Sequence, residues 1–178
     1  MKLQTILRHI VGYFVGFSIF VVGIPSGLYL ASIKLDLYFS VNLIPIEKIH
    51  ICIALLAGIT GIVFAVWSNL YLLFVGKGGP ADGFGITISP RTQHLVTSGP
   101  YRYTRHPMVF GAVSGYLALA FLFNSLPCLG IVTVFLVCAA VYLKLVEEKR
   151  LLKDFGDTYK QYRSKVSMLV PFPSRKRP

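Results

Sequence analysis

Two polar clusters in this chain hold residue types that could do chemistry, and an apolar stretch separates them. The first runs Gly99-Pro100-Tyr101-Arg102-Tyr103-Thr104-Arg105-His106-Pro107; the second is Glu147-Glu148, followed by Asp154-Phe155-Gly156. Between them the uncharged run from Pro107 to Leu143 is too long for one bilayer crossing and is broken at Asn124-Ser125-Leu126-Pro127. It therefore reads as two helices that go out and come back, which brings a basic, His-containing loop and a pair of carboxylates to one membrane face. Proline at 107 disfavours helix at His106 and suits the first position of a new helix. The free N–H groups and positive dipole end of that helix attract an anion, with a carboxylate as the natural small guest. Arg105 and Arg102 add charge-assisted donors, and Glu147 and Glu148 offer acceptors for an ammonium group or hydroxyls. Neighbouring helical residues point about 100 degrees apart, so one carboxylate is expected to face the pocket, and Glu147 is the choice. The bland alternative pairs Glu147 with Arg150 and Glu148 with Lys144 as solvated surface contacts, and leaves His106 to cap or fill.

The elements that must position these groups follow from composition. A chain of 178 residues that is 54% hydrophobic and 14% charged, with mean hydropathy +0.66, has too little polar surface for an ordinary soluble domain. The expected fold class is an all-α membrane protein: four transmembrane helices with a cytoplasmic C-terminal helical extension, forming one integral membrane domain over 1–178. The spans are placed at 10–33, 50–76, 107–123 and 127–146, with a cytoplasmic loop at 77–106 and a cytoplasmic helix and tail at 147–178. The first run is longer than the apolar core of a cleaved signal and is read as retained; Pro25 within it can be absorbed by neighbouring helices in a bundle. All of the eighteen Lys and Arg except Lys34 and Lys48 lie at the N-terminus, in the central loop or after Leu143. By the positive-inside rule both termini and that loop face the cytoplasm, and the net charge of +11 meets anionic headgroups or an acidic small molecule there. Nucleic-acid binding is the weaker account of this charge, because topology alone places Lys and Arg beside membrane spans. Cys52, Cys128 and Cys138 have no metal-ligand spacing and imply no disulfide framework, so no metal site is expected. Gly76 to Gly85 is too rich in Gly and Pro for helix and lacks a P-loop ending. Beyond Leu143 the helix is expected to leave the membrane and end at Gly156, before a short amphipathic piece (Tyr159, Tyr162, Val166) that lies along the headgroups.

The string Leu95-Val96-Thr97-Ser98-Gly99-Pro100-Tyr101-Arg102-Tyr103-Thr104-Arg105-His106-Pro107-Met108, then Glu147-Glu148, then Asp154-Phe155-Gly156-Asp157-Thr158-Tyr159-Lys160-Gln161-Tyr162, resembles the isoprenylcysteine carboxyl methyltransferase and phospholipid methyltransferase superfamily. The resemblance covers roughly residues 76 to 166, about half the chain. It implies S-adenosyl-L-methionine as methyl donor, held on the cytoplasmic side between the Arg-His-Pro loop and the acidic pair. The cofactor contacts it implies fall on His94, Leu95, Val96, Tyr101, His106, Pro107 and one of Glu147 and Glu148, with Gly99 in the same stretch and Arg105 added from the charge argument. Two positions depart from the pattern: Val109 and Phe110 stand where the family often has tyrosine two residues after the proline, and Leu143 stands where eukaryotic prenylcysteine enzymes carry arginine. The cofactor half of the site thus carries over, and the acceptor half does not.

The expected function is S-adenosylmethionine-dependent methyl transfer to a lipophilic acceptor, a carboxylate, thiol or lipid amine, that enters from the bilayer. A carboxylate needs no base, whereas a thiol or amine needs a proton acceptor, for which His106 and the spare glutamate are candidates; no residue is assigned as catalytic. Membrane lipids are the other expected partners, and no protein partner is named. The alternative is a non-catalytic four-helix membrane subunit or small transporter. Transport commonly needs charges within spans, and none occurs between Pro107 and Leu143.

Overall fold

Pro25 explains the shape of the first helix. Its ring removes one backbone donor and clashes with the carbonyl four residues earlier, so an uninterrupted α-helix across it would be strained. In the computed structural model, which describes residues 3–39, 42–79, 82–83, 86–87 and 92–172, α1 (Leu3–Phe17) passes through a π-helical turn (Ser18–Gly23) into α2 (Ile24–Phe39). The Ile24 N–H reaches back five residues to the Ile19 carbonyl, and this widened turn takes up the misfit just before the proline. The result is one continuous apolar rod. It is followed by α3 (Glu47–Phe74), α4 (Pro107–Leu122), α5 (Leu126–Tyr142), a second π turn (Leu143–Glu147) and α6 (Glu148–Lys165).

The fold is all-helical apart from a two-residue antiparallel pair, Asp82–Gly83 with Ile86–Thr87, among the described residues. Three helices are long and apolar enough to cross a membrane, over Ile6–Phe39, Glu47–Phe74 and Leu126–Lys165. The expected third span, at 107–123, is the 16-residue α4, about 24 Å long at 1.5 Å per residue and therefore shorter than a typical bilayer core. Around these helices large apolar side chains point outward: Phe14, Leu37, Tyr38 and Phe74 are all exposed. The interior positions instead hold small residues such as Ser32, Ala54, Ser68, Ser114 and Ala120. This distribution suits helices packed on one another in lipid.

The closest contact is between α3 and α4, and glycine makes it. A Cβ on Gly61 would lie 2.7 Å from the Gly115 nitrogen and 2.9 Å from the Gly111 carbonyl oxygen; one on Gly111 would lie 2.7 Å from the Ala65 nitrogen. The two backbones therefore touch, which fixes the start of α4 against α3. On the other side α2, α4 and α5 share a core of Leu28, Tyr116, Ala120, Cys128 and Val132, and the Tyr116 hydroxyl donates to the Phe20 carbonyl at 2.9 Å. The turn between α4 and α5 is built by Asn124, at φ +52°. The Asn124 side chain brackets Ile44, accepting from its N–H at 3.0 Å and donating to its carbonyl at 2.9 Å. Ser125 caps α5 by accepting from the Cys128 N–H and donates to Asp36 at 2.8 Å.

At Gly156 (φ +53°, ψ −128°) α6 breaks, a conformation that favours glycine. The apolar face of the following piece, expected to meet headgroups, is covered by protein. Tyr159, Tyr162 and Val166 turn inward and are buried with Leu95, Leu151, Leu152 and Phe155. The break at Gly156 redirects the apolar face onto the loop before α4, where burial against protein competes with lipid.

Candidate functional site

The loop that leads into α4 is held by three local devices. Gly99, at φ +59°, lies on the Tyr71 ring of α3, where a Cβ would come within 2.5 Å of ring atoms. Pro100 begins a 3₁₀ turn over Gly99–Arg102. His106 is the N-cap residue of α4, at φ −124° and ψ 63°, with Pro107 after it and no side-chain cap hydrogen bond, so its imidazole is free to face elsewhere. A strap from the end of α6 runs beside this loop. Thr104 and Ser167 form a parallel bridge, the Arg105 N–H donates to the Ser167 carbonyl at 2.9 Å, the His106 N–H donates to the Met168 carbonyl at 3.3 Å, and the Phe172 N–H donates to the Tyr103 carbonyl at 3.0 Å. The buried Thr104 hydroxyl donates to the Met168 carbonyl at 2.9 Å and accepts from the His106 N–H at 3.4 Å.

Arg105 ties the two polar clusters together. Its Nε donates to Glu148 Oε1 at 2.9 Å, its Nη2 donates to the same oxygen, and its Nη1 donates to the carbonyls of Arg163 at 3.0 Å and Val166 at 2.6 Å. His106 lies between the two glutamates: Nδ1 is 4.0 Å from Glu147 and Nε2 is 3.8 Å from Glu148. Glu147 closes the π turn and Glu148 opens α6. Where a regular helix was expected to turn one carboxylate away, both come within 4.0 Å of the imidazole, at the junction where the π turn interrupts that regular geometry. Their surroundings differ. Glu148 is 2% exposed, with Arg163 also 3.4 Å away, and does not form the expected surface pair with Lys144. Glu147 is 28% exposed and lies 3.8 Å from Arg150.

Electrostatics follow this split. Burial works against the ionised form of Glu148, but the neighbouring His106, Arg105 and Arg163 outweigh it and hold the carboxyl at about 2. The Tyr101 hydroxyl is pushed well above its usual value by burial, then by Glu147 and Tyr13.

Of the residues singled out from the sequence, Arg105, His106, Glu147 and Glu148 are brought together, with Tyr101 in electrostatic reach of Glu147. Pro107 is fully buried. Leu95 packs against the Tyr159 cluster, Val96 is buried and lies against Gly76, and His94 is exposed. Sequence reasoning missed Thr104, Tyr159 and Arg163. The i, i+3 spacing of Tyr159 and Tyr162 was visible, but nothing local says that such a face meets protein instead of lipid. It also missed an aromatic line beside the loop: Phe110 meets Phe64 edge-on at 4.8 Å, and Trp67 lies 6.3 Å from Tyr103. Phe110 thus packs on α3.

Apolar helices that end in a buried arginine–glutamate pair and a histidine flanked by two carboxylates define a membrane protein with a polar site at one end of its bundle. The chain belongs to the phospholipid methyltransferase family, whose model matches residues 49–158. It is similar to a methanethiol S-methyltransferase of Mycobacterium tuberculosis (strain ATCC 25618 / H37Rv), at 35% identity over 110 residues that make up 60% of this chain and 38% of that protein. It is also similar to methanethiol S-methyltransferase 1 of Bradyrhizobium diazoefficiens, at 32% identity over 72 residues, 40% of this chain and 24% of that protein. The chain therefore matches well under half the length of these relatives. No solved structure matches it.

Proposed function

We propose that this chain is an integral membrane methyltransferase that uses S-adenosylmethionine from the cytoplasmic side and methylates a lipophilic acceptor reaching it from the bilayer. The observation that carries this reading is the meeting of His106, Glu147 and Glu148 at the mouth of the α4–α5 hairpin. In this reading all four apolar helices span the cytoplasmic membrane as a single domain, with α4 met by local thinning of the bilayer, and both termini and the 77–106 loop face the cytoplasm.

The residues fit such a cofactor. Nε2 of His106 is buried with no hydrogen-bond partner among the described residues, a polar atom that a bound polar group would satisfy. When bound, the cofactor supplies an electrophilic methyl group on a sulfonium. Glu147, partly exposed, is the carboxylate that accepts from an ammonium group or ribose hydroxyls, while Glu148 is committed to Arg105 and steadies His106. The first turn of α4 at Pro107 offers N–H groups to a carboxylate, and Leu95, Val96, Gly99 and Tyr101 line the remainder, with His94 at its exposed rim. The names of the similar proteins make a thiol the first acceptor to test. Leu143, fully buried where prenylcysteine enzymes carry arginine, favours an acceptor other than a prenylcysteine carboxylate. A thiol must lose a proton, and His106, 4.0 Å from Glu147, is placed to take it.

Calorimetric titration of S-adenosylmethionine into purified wild type and into Glu147→Ala, Glu148→Ala and His106→Ala variants tests the assignment. Binding by wild type and its loss in the variants is the expected outcome; equal affinity in all four would refute the pocket. Methyl-labelled cofactor offered with a thiol, a carboxylate or a lipid amine then identifies the acceptor class.

A further inference from the structure

Tyr159 is fully buried, yet its hydroxyl has no hydrogen-bond partner among the described residues. Tyr162, on the same face three residues later, shows what such a hydroxyl ordinarily does here: it donates to the Tyr101 carbonyl at 2.6 Å. An unpartnered hydroxyl in a dry interior is costly, and phenylalanine would fill the same space without that cost. The surroundings of Tyr159 are not those of a plain core either. Its ring lies 6.2 Å from the Tyr162 ring, and the cluster these two form with Val166 packs against Leu95, so it backs the stretch that leads into the candidate cofactor loop. Burial, and then the nearby charge of Glu148, push its hydroxyl up to about 12, against the opposing pull of Arg105 and Arg163. It therefore stays protonated and able to donate across the working range. Two buried polar atoms without hydrogen-bond partners among the described residues thus share the neighbourhood of Glu148: His106 Nε2, 3.8 Å from it, and the Tyr159 hydroxyl, which feels its charge.

We propose that Tyr159 is a further cofactor-binding residue, its hydroxyl donating a hydrogen bond to an acceptor atom of bound S-adenosylmethionine. This rests on the cofactor reading given above. It makes the segment after Gly156 part of the site's wall. It also accounts for a phenol in a place where the ligand-free protein gains nothing from one.

The full-length Tyr159→Phe variant separates the possibilities, because it removes one oxygen and keeps the ring. Two quantities are read in detergent solution: the ligand-free melting temperature, and the affinity for S-adenosylmethionine by calorimetry. The expected result is a melting temperature equal to or above wild type, with affinity weakened about fivefold to tenfold, the loss of roughly one hydrogen bond to a ligand. Tyr162→Phe, which breaks a bond already made in the ligand-free protein, gives the contrasting signature of a lowered melting temperature. Undiminished affinity in Tyr159→Phe overturns the proposal, since the hydroxyl is then only an unsatisfied core group. A melting temperature depressed as in Tyr162→Phe also overturns it, since the hydroxyl then has a protein partner. Failure of wild type itself to bind the cofactor refutes the pocket as a whole, an outcome distinct from either.

Discussion

Arg105 was expected to lend its charge to an incoming anion, but four of its five N–H donors are spent within the protein, on Glu148 and on the Arg163 and Val166 carbonyls. Removing Arg105 leaves the buried Glu148 with the half-exposed Arg163, 3.4 Å away, as its remaining arginine, and taking one member from a buried pair costs about 3–5 kcal/mol. Arg105→Ala should therefore lower the melting temperature sharply, by more than Arg163→Ala, whose side chain is about half exposed; equal losses would show that the pair is not what holds the junction. The same carboxylate sets an acid limit. Because Glu148 is held at about 2 against an ordinary 4.5, its contribution to stability is complete above about pH 4.5 and is lost as pH falls toward 2. A Glu148→Gln variant should be less stable at neutral pH and show a flatter acid limb in melting experiments. Thr104 supplies a finer test: Thr104→Val loses the hydroxyl that links the strap to His106, whereas Thr104→Ser keeps it. Cofactor affinity should drop in the first and hold within about twofold in the second.

Among the elements, α3 and α4 meet through glycine at Gly61 and Gly111, where an added methyl group would collide with backbone atoms that cannot move aside. Gly61→Ala should separate the two helices and displace His106 at the start of α4. Gly130→Ala on α5, where a Cβ meets nothing within 4 Å, should be neutral or slightly stabilising, because alanine is the better helix former. Melting curves of the two variants, with cofactor affinity measured alongside, check this contrast. What could be read from the sequence at this scale was local backbone chemistry. Pro107 marks where α4 starts, Asn124 and Ser125 mark the turn, and Gly156 marks a break. The π turns were not readable, since each is a compromise between a helix and its neighbours, and the second one governs how both glutamates are presented.

At the level of the whole molecule, the orientation rests on charge placement alone and has a direct check. In a background lacking Cys52, Cys128 and Cys138, a cysteine placed at the exposed Gln161 should react with a membrane-impermeant maleimide only after the inner face is opened, and one at Glu47 should react in intact cells. The reverse pattern would invert the topology. The reading also failed at this scale for a definable reason. The pairing of His106 with the glutamates was inferable because a hairpin of known reach joins them, whereas the contacts of Arg105 with Arg163 and Val166 span 58 and 61 residues with no pattern linking them. The strap has a further consequence for biosynthesis. The loop at 99–106 leaves the ribosome long before residues 163–172, which supply its backbone partners. The apolar helices can thus be inserted while the charged corner is still unfinished, and that corner closes only once residues 163–172 have emerged to meet it.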